Sequence, residues 1–227
     1  MGRYLVTAGS NNFLAANYVP ATGYPMTVAG WFNHENDSLT SCLFTAGNPV
    51  DNNCYYAVFL VGGGSSGNLV RFEMKSDSGV SRKADTTLGY VENTWHHWAA
   101  VGINDALRYC YIDGIARGQD TNTMTFPTGL TRIRMGRTAG LTSGNSMQGK
   151  VAHVAFWDVA LSDNEITRLA QGISPINVRQ ESLIAYWPIT GQNPEQEFIN
   201  RNELSLNAGN DIADVSPTIR YGPLGLP

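Results

Sequence analysis

Residues 149–172, GKVAHVAFWDVALSDNEITRLAQG, constrain the fold more than any other part of this chain. From Val151 to Trp157 both alternating sets of residues are mostly apolar. Strand side chains alternate between faces, so a strand apolar on both is covered on both. Regular alternation places Val151, Ala155 and Trp157 on one face with His153, and Ala152, Val154 and Phe156 on the other. Ser162 and Glu165 then stand at capping-box spacing. Asp163 and Glu165 suit the positive end of a helix dipole. Ile166, Leu169 and Ala170 fall on one helical face, and Gly172 is a natural stop. The spacing predicts one short helix near 163–171.

The rest of the chain reads as antiparallel β. Strands are expected over 3–8, 26–32, 41–46, 55–61, 69–75, 80–86, 95–103, 107–112, 115–120, 132–137, 149–157 and 182–187. In 69–75, Val70, Phe72 and Met74 alternate with Arg71, Glu73 and Lys75, the pattern of a strand with one wet face. Asp113-Gly114 is a hairpin signal. Many short strands joined by turns predict an all-β fold, an antiparallel two-sheet jelly-roll sandwich with one helix. The composition shifts past Thr190 to Asn, Gly and Pro. This predicts a jelly-roll domain over 1–190 and a weakly stranded tail over 191–227, packed on the domain or on a partner.

Charge and cysteine content narrow the partners. Fifteen Lys and Arg against nineteen Asp and Glu leave a net charge of -4, which offers no basic face to nucleic acid. No apolar run approaches the roughly 18 residues of a membrane span, and the N-terminus lacks the apolar core of an export signal. Three cysteines, Cys42, Cys54 and Cys110, cannot form a complete disulfide set within one chain. Cys42 and Cys54 could pair; three buried or half-buried thiols is the favoured reading.

Several segments, in order, resemble the laminin-G-like and concanavalin-A-like jelly rolls, in particular the pentraxin kind. They are Thr27-Val28-Ala29-Gly30-Trp31-Phe32, Trp95-His96-His97-Trp98-Ala99, Tyr111-Ile112-Asp113-Gly114, the strand and helix above, and Leu183-Ile184-Ala185-Tyr186-Trp187-Pro188. The resemblance covers roughly 26–190. It implies the sandwich fold and a range of roles: lectins, adhesion modules, virion proteins and glucan-cleaving enzymes. The enzymes place carboxylates on one strand face as Glu-x-Asp-x-x-Glu. Here Glu35-Asn36-Asp37 begins the pattern, but Thr40 replaces the final glutamate. The chain is therefore expected not to be an enzyme.

Candidate sites lie in loops. The resemblance implies calcium as the cofactor to consider, held by hard oxygen ligands. Asp37, Asp51, Asn52 and Asn53 are the weak candidates, although such residues also simply make turns. His96 and His97, adjacent on a strand, point to opposite faces and cannot share an ion; one is expected at the core edge and one at the surface. His153 reads as a hydrogen-bonded interior residue and His34 as a loop residue. Trp31, Trp157 and Trp187 read as core; Tyr18, Tyr24, Tyr55 and Tyr56 read as the surface aromatics. Tyr24, His34, Asn36 and Tyr55 are the expected ligand contacts, and Tyr221, Leu224 and Leu226 the expected partner contacts.

Two functional expectations follow. The first is a non-catalytic virion protein, in which the jelly roll serves decoration, assembly or adhesion to a host surface, its partners being other virion subunits, copies of itself or a surface glycan. A fold that usually works outside cells, without an export signal and with odd cysteines, motivates it. The second is an extracellular carbohydrate-binding or adhesion module. A glucan hydrolase is disfavoured by Thr40.

Overall fold

A computed structural model describes residues 2–5, 13–35, 40–52, 54–62, 67–115, 117–140, 145–207, 213–214 and 217–220. Two antiparallel sheets form a sandwich, with strands numbered in chain order. The first sheet runs β10 (Gly118–Asp120), β9 (Leu107–Ile112), β8 (Trp95–Asn104), β3 (Met26–His34), β12 (Gly149–Trp157), β1 (Gly2–Leu5) and β16 (Ala213–Asp214), with β13 (Leu183–Trp187) also paired to β12. The second runs β14 (Glu195–Gln196), β15 (Glu203–Asn207), β2 (Phe13–Ala16), β11 (Arg132–Met135), β4 (Ser41–Gly47), β5 (Tyr55–Val61), β6 (Leu69–Lys75) and β7 (Ser81–Asp85). The inner faces meet in an aromatic core. Phe44 stacks on Trp98 with ring centroids 6.1 Å apart and meets Phe156 edge-on at 5.4 Å. In β6, Val70, Phe72 and Met74 are fully buried, as the alternation requires.

The helix α1 spans Asp163–Ala170. Ser162 caps it: its Oγ accepts from Glu165 N, and the Glu165 carboxylate accepts from Ser162 N at 2.8 Å. Gly172, at φ 85°, ends it in a backbone conformation that favours glycine. Leu161, Ile166 and Leu169 bury against the outer face of the first sheet, with Trp157 and Tyr111. Asp113-Gly114 also turns left-handed, at φ 52° and 75°. A Cβ at Gly114 would lie 2.9 Å from both Ala170 Cβ and Thr167 Cα, so this turn must be glycine to let the helix approach. His96 Nδ1 bonds Asp113 Oδ2 at 2.7 Å and His97 N donates to Asp113 Oδ1 at 2.9 Å. The histidine pair and the Asp-Gly turn are thus one structural unit.

Strand β12 departs from regular alternation. Ala152 pairs with Trp31 and Ala155 with Ala29, so His153 and Val154 together oppose Gly30. This is a bulge, with His153 at φ 52°. It puts Val151, Val154 and Phe156 in the sandwich core and Ala155 and Trp157 under the helix. The expected grouping of Val151 with Ala155 and Trp157 is therefore corrected: the extra residue moves every side chain beyond it to the other face. The bulge also marks a change of neighbour, from β1 along 149–151 to β13 along 154–157. As expected, His153 is interior and hydrogen-bonded, its Nδ1 2.8 Å from Tyr186 Oη.

Past Thr190 the chain stays with the sandwich. β15 pairs with β2 and extends the second sheet, and Leu204 is fully buried. Two buried carboxylates fasten the segment by accepting backbone N–H groups. Glu195 takes those of Thr190 and Gly191, and Glu197 those of Tyr186, Ile199 and Asn200. Farther on, Arg220 N donates to Gly172 O at 2.7 Å, beside the end of the helix. Tyr221, Leu224 and Leu226, the expected partner contacts, lie outside the described residues. All three cysteines are free, buried thiols.

Candidate functional site

The outer face of the second sheet carries a pocket of about 290 Å³. Its floor is β4 and β5, through Thr45, Tyr55 and Phe59. Its walls are the loops after β4 and β11, through Asp51, Asn52 and Gly140. Strand alternation explains the floor: Tyr56, Val58 and Leu60 of β5 fill the sandwich core, which turns Tyr55, Ala57 and Phe59 outward. The rings of Tyr55 and Phe59 meet edge-on with centroids 6.4 Å apart. Tyr55 Oη donates to Glu73 Oε1 at 3.0 Å, which fixes the ring; burial and the Glu73 charge push its pKa up, so it stays a neutral hydroxyl. A Cβ on Gly140 would fall 2.1 Å from Asn52 Oδ1, so a larger residue there would require the Asn52 side chain to move.

In the pocket lining, Cys54 Sγ donates to Asp77 Oδ1 at 3.0 Å and lies 3.4 Å from Asp51 Oδ2. Burial, then the hydrogen bonds and charges of Asp77 and Asp51, push the thiol up to about 12, which disfavours the nucleophilic thiolate. The Asp77 carboxylate is pulled down to about 2 by the Cys54 thiol and by Thr128, which donates to it from N and Oγ1.

The sequence candidates divide. Asp51 and Tyr55 come together in this pocket, with Asn52. Asn36, Asp37 and Asn53 lie outside the described residues. Among the described residues no three His, Cys, Asp or Glu side chains converge as metal ligands, and the Asp51 carboxylate lies 3.4 Å from the Cys54 thiol. His34 is corrected. It is not in a loop but closes β3, is fully buried, and sits 3.1 Å from Tyr90 Oη and 3.2 Å from Ser41 Oγ through its two ring nitrogens. Tyr24 is half-buried: it packs edge-on to Phe126 at 4.9 Å with its hydroxyl 3.2 Å from Met74 Sδ, and it does not line this pocket. Tyr56 is fully buried, its hydroxyl donating to Ala21 O at 2.9 Å. Trp31, read as core, is half-exposed, whereas Trp157 and Trp187 are fully buried. Both His96 and His97 are buried, so neither is the expected surface histidine. Thr45, Phe59, Asn145 and Gly140 were not legible as site residues because three separate segments bring them together.

The sequence profile of the concanavalin A-like lectin/glucanase superfamily matches residues 7–167. The chain belongs to that superfamily, and its jelly roll is lectin-like. No curated protein sequence matches it. Solved structures of similar fold include a native heptameric SAP-like pentraxin from Limulus polyphemus (TM-score 0.64, 13% identity, 95% of this chain and 94% of that one). The CBM40 of Ruminococcus gnavus IT-sialidase, bound to α2,3 sialyllactose, is another (TM-score 0.57, 16% identity, 66% and 84%). A third is a Bacteroides ovatus protein proposed to bind carbohydrate (TM-score 0.62, 14% identity, 96% and 60%). At these identities the likeness establishes the fold.

Proposed function

We propose that this chain binds carbohydrate without cleaving it, through the pocket on the outer face of its second sheet. The carrying observation is the pocket's composition: a fixed, neutral tyrosine ring beside Phe59, rimmed by Asp51, Asn52 and Asn145. Such a lining offers an apolar ring face to sugar C–H groups and polar side chains to hydroxyls. Carbohydrate-binding proteins of the same fold support the reading. The described lining holds one carboxylate, Asp51, where glycoside hydrolysis normally employs two. That supports binding over catalysis. A virion surface, the setting expected from the sequence, or an extracellular one, is where such a face would act. A glycan array followed by calorimetry tests the proposal. Binding to one glycan class, weakened roughly 10-fold or more in Tyr55→Ala at unchanged fold, is expected from loss of an aromatic platform. A folded protein that binds no glycan sinks the reading.

A further inference from the structure

Two arginines stand on the same open face, one strand from the pocket. In β11, Ile133 and Met135 are fully buried, so Arg132 and Arg134 point outward. Arg134 pairs with Ala15 on one side and Thr45 on the other, and Arg132 pairs with Gly47. These small neighbours leave a depression of about 380 Å³ over Phe13, Ala15, Asn17 and Leu206. The Arg134 guanidinium lies 4.5 Å from the Phe13 ring centroid, and its Nη1 donates to Thr138 O at 2.8 Å. Its Nε is buried with no hydrogen-bond partner. Arg132 Nε donates to Asn17 Oδ1 at 3.2 Å. Neither guanidinium forms an ion pair with a carboxylate among the described residues. Glu203, the carboxylate lining the depression, accepts instead from Gln196 Nε2 at 2.9 Å. A third cation, Arg137, reaches the same ring at 5.7 Å.

This is an unusual concentration of positive charge for a chain whose net charge is -4. Partial burial and the charges of Arg132 and Arg137 both lower the basicity of Arg134. A ligand anion would relieve that repulsion, and a guanidinium fork matches a planar or tetrahedral oxyanion. We infer that Arg132 and Arg134 form an anion subsite that takes the carboxylate or sulfate group of an acidic glycan whose adjoining sugar fills the Tyr55 pocket. The inference rests on the glycan-binding reading above. Register supports it: Arg132 pairs with Gly47 and Gly47 with Tyr55, so two strand spacings, about 10 Å, separate the subsites. A disaccharide spans that distance.

The test uses the full chain on an array holding neutral, carboxylated and sulfated glycans, followed by titration of the best acidic ligand and its neutral counterpart (the methyl ester of a carboxylate, or the desulfated sugar). The counterpart also tells carboxylate from sulfate. Acidic ligands are expected to bind about 10- to 100-fold tighter than their neutral counterparts, the worth of a charge-assisted hydrogen bond. Arg132→Gln and Arg134→Gln should erase that preference while leaving neutral-sugar binding in place. Tyr55→Ala should weaken both. Because Arg134 packs on Phe13, Arg134→Lys and a melting curve separate lost recognition from lost folding, and Arg132→Gln carries the test independently. Neutral ligands binding as tightly as acidic ones, or a preference that survives both arginine variants, overturns the anion subsite and leaves the glycan reading standing. Binding to no glycan at all overturns both.

Discussion

The outer faces of the two sheets are built on opposite plans. Across the first sheet one register row reads Tyr186, Ala155, Ala29, Ala99, Tyr111. Three alanines form a trough between two tyrosines, and the helix lies in it through Ile166 and Leu169, with Leu161 just before it. Tyr111 Oη holds the first turn of the helix by donating to Asp163 Oδ1 at 2.7 Å. Across the second sheet the corresponding row reads Ser205, Ala15, Arg134, Thr45, Ala57, Glu73, Lys83. Its large side chains are charged. The first face is finished by burial; the second keeps its pocket and its arginines available to a ligand. The capping box, the Asp-Gly turn and His97 belong to the finished face, while His96 packs with Phe32 and Tyr90 of the core. Function has to be sought on the other.

The comparison breaks most sharply at Trp157. It is fully buried beneath the helix, and its Nε1 donates to Val178 O at 2.8 Å. Trp157→Ala should cost about 3–5 kcal/mol, read as a lowered urea midpoint. A cost under about 1 kcal/mol would mean that the helix is not what finishes this face.

Acid should attack the same face next. His97 and His153 line one small cavity beside Trp157 and Leu169. Burial holds His97 down at about 3 and His153 down at about 4. Both lie below the unfolded value of about 6.5. The unfolded chain therefore takes up protons that the folded chain refuses, so stability is complete above about pH 6.5 and falls as pH drops toward 4 and 3. Urea midpoints measured from pH 8 to 5 should be flat above 7 and decline below 6.5, with a shallower decline in His153→Asn. Equal slopes in variant and parent would remove His153 from the account. Gly114→Ala should act less strongly, costing about 1–3 kcal/mol through strained backbone and contact with the helix. A wild-type melting curve would refute the close approach.

Legibility in the sequence follows the same division. The helix was legible because a cap, an apolar stripe and a stop residue are all local. The strand at 69–75 was legible because its alternation is unbroken. The bulge at His153 was not: a left-handed residue leaves the apolar pattern intact while exchanging the faces beyond it. Tyr55 and Tyr56 show why neighbouring candidates separate, since one residue of register decides which faces the core. His34 was misplaced because β3 runs past Phe32. β15 left a signal in Leu204 and Leu206, two residues apart in an otherwise polar stretch. Of the site, Asp51 and Tyr55 could be singled out by residue type, but Arg134 meets Phe13 only through the pairing of β2 with β11, which no local pattern reveals.

The smallest stability effect should come from the open face, at Tyr55. Tyr55→Phe removes the hydroxyl that donates to Glu73 Oε1 and keeps the ring. Ser81 Oγ still donates to that same oxygen at 2.7 Å, so Glu73 is not stranded. The cost should be about 0.5–1 kcal/mol, well below that of Trp157→Ala, because a half-buried hydroxyl exchanges its partner for water. Measured together with glycan affinity, this variant separates two roles of one side chain. Retained affinity assigns binding to the ring face. A loss as large as that of Tyr55→Ala would place the hydroxyl, or the ring orientation it fixes, in direct control of the ligand. Either result concerns a substitution expected to cost the fold little, which is what would distinguish Tyr55 from Trp157 beneath the helix.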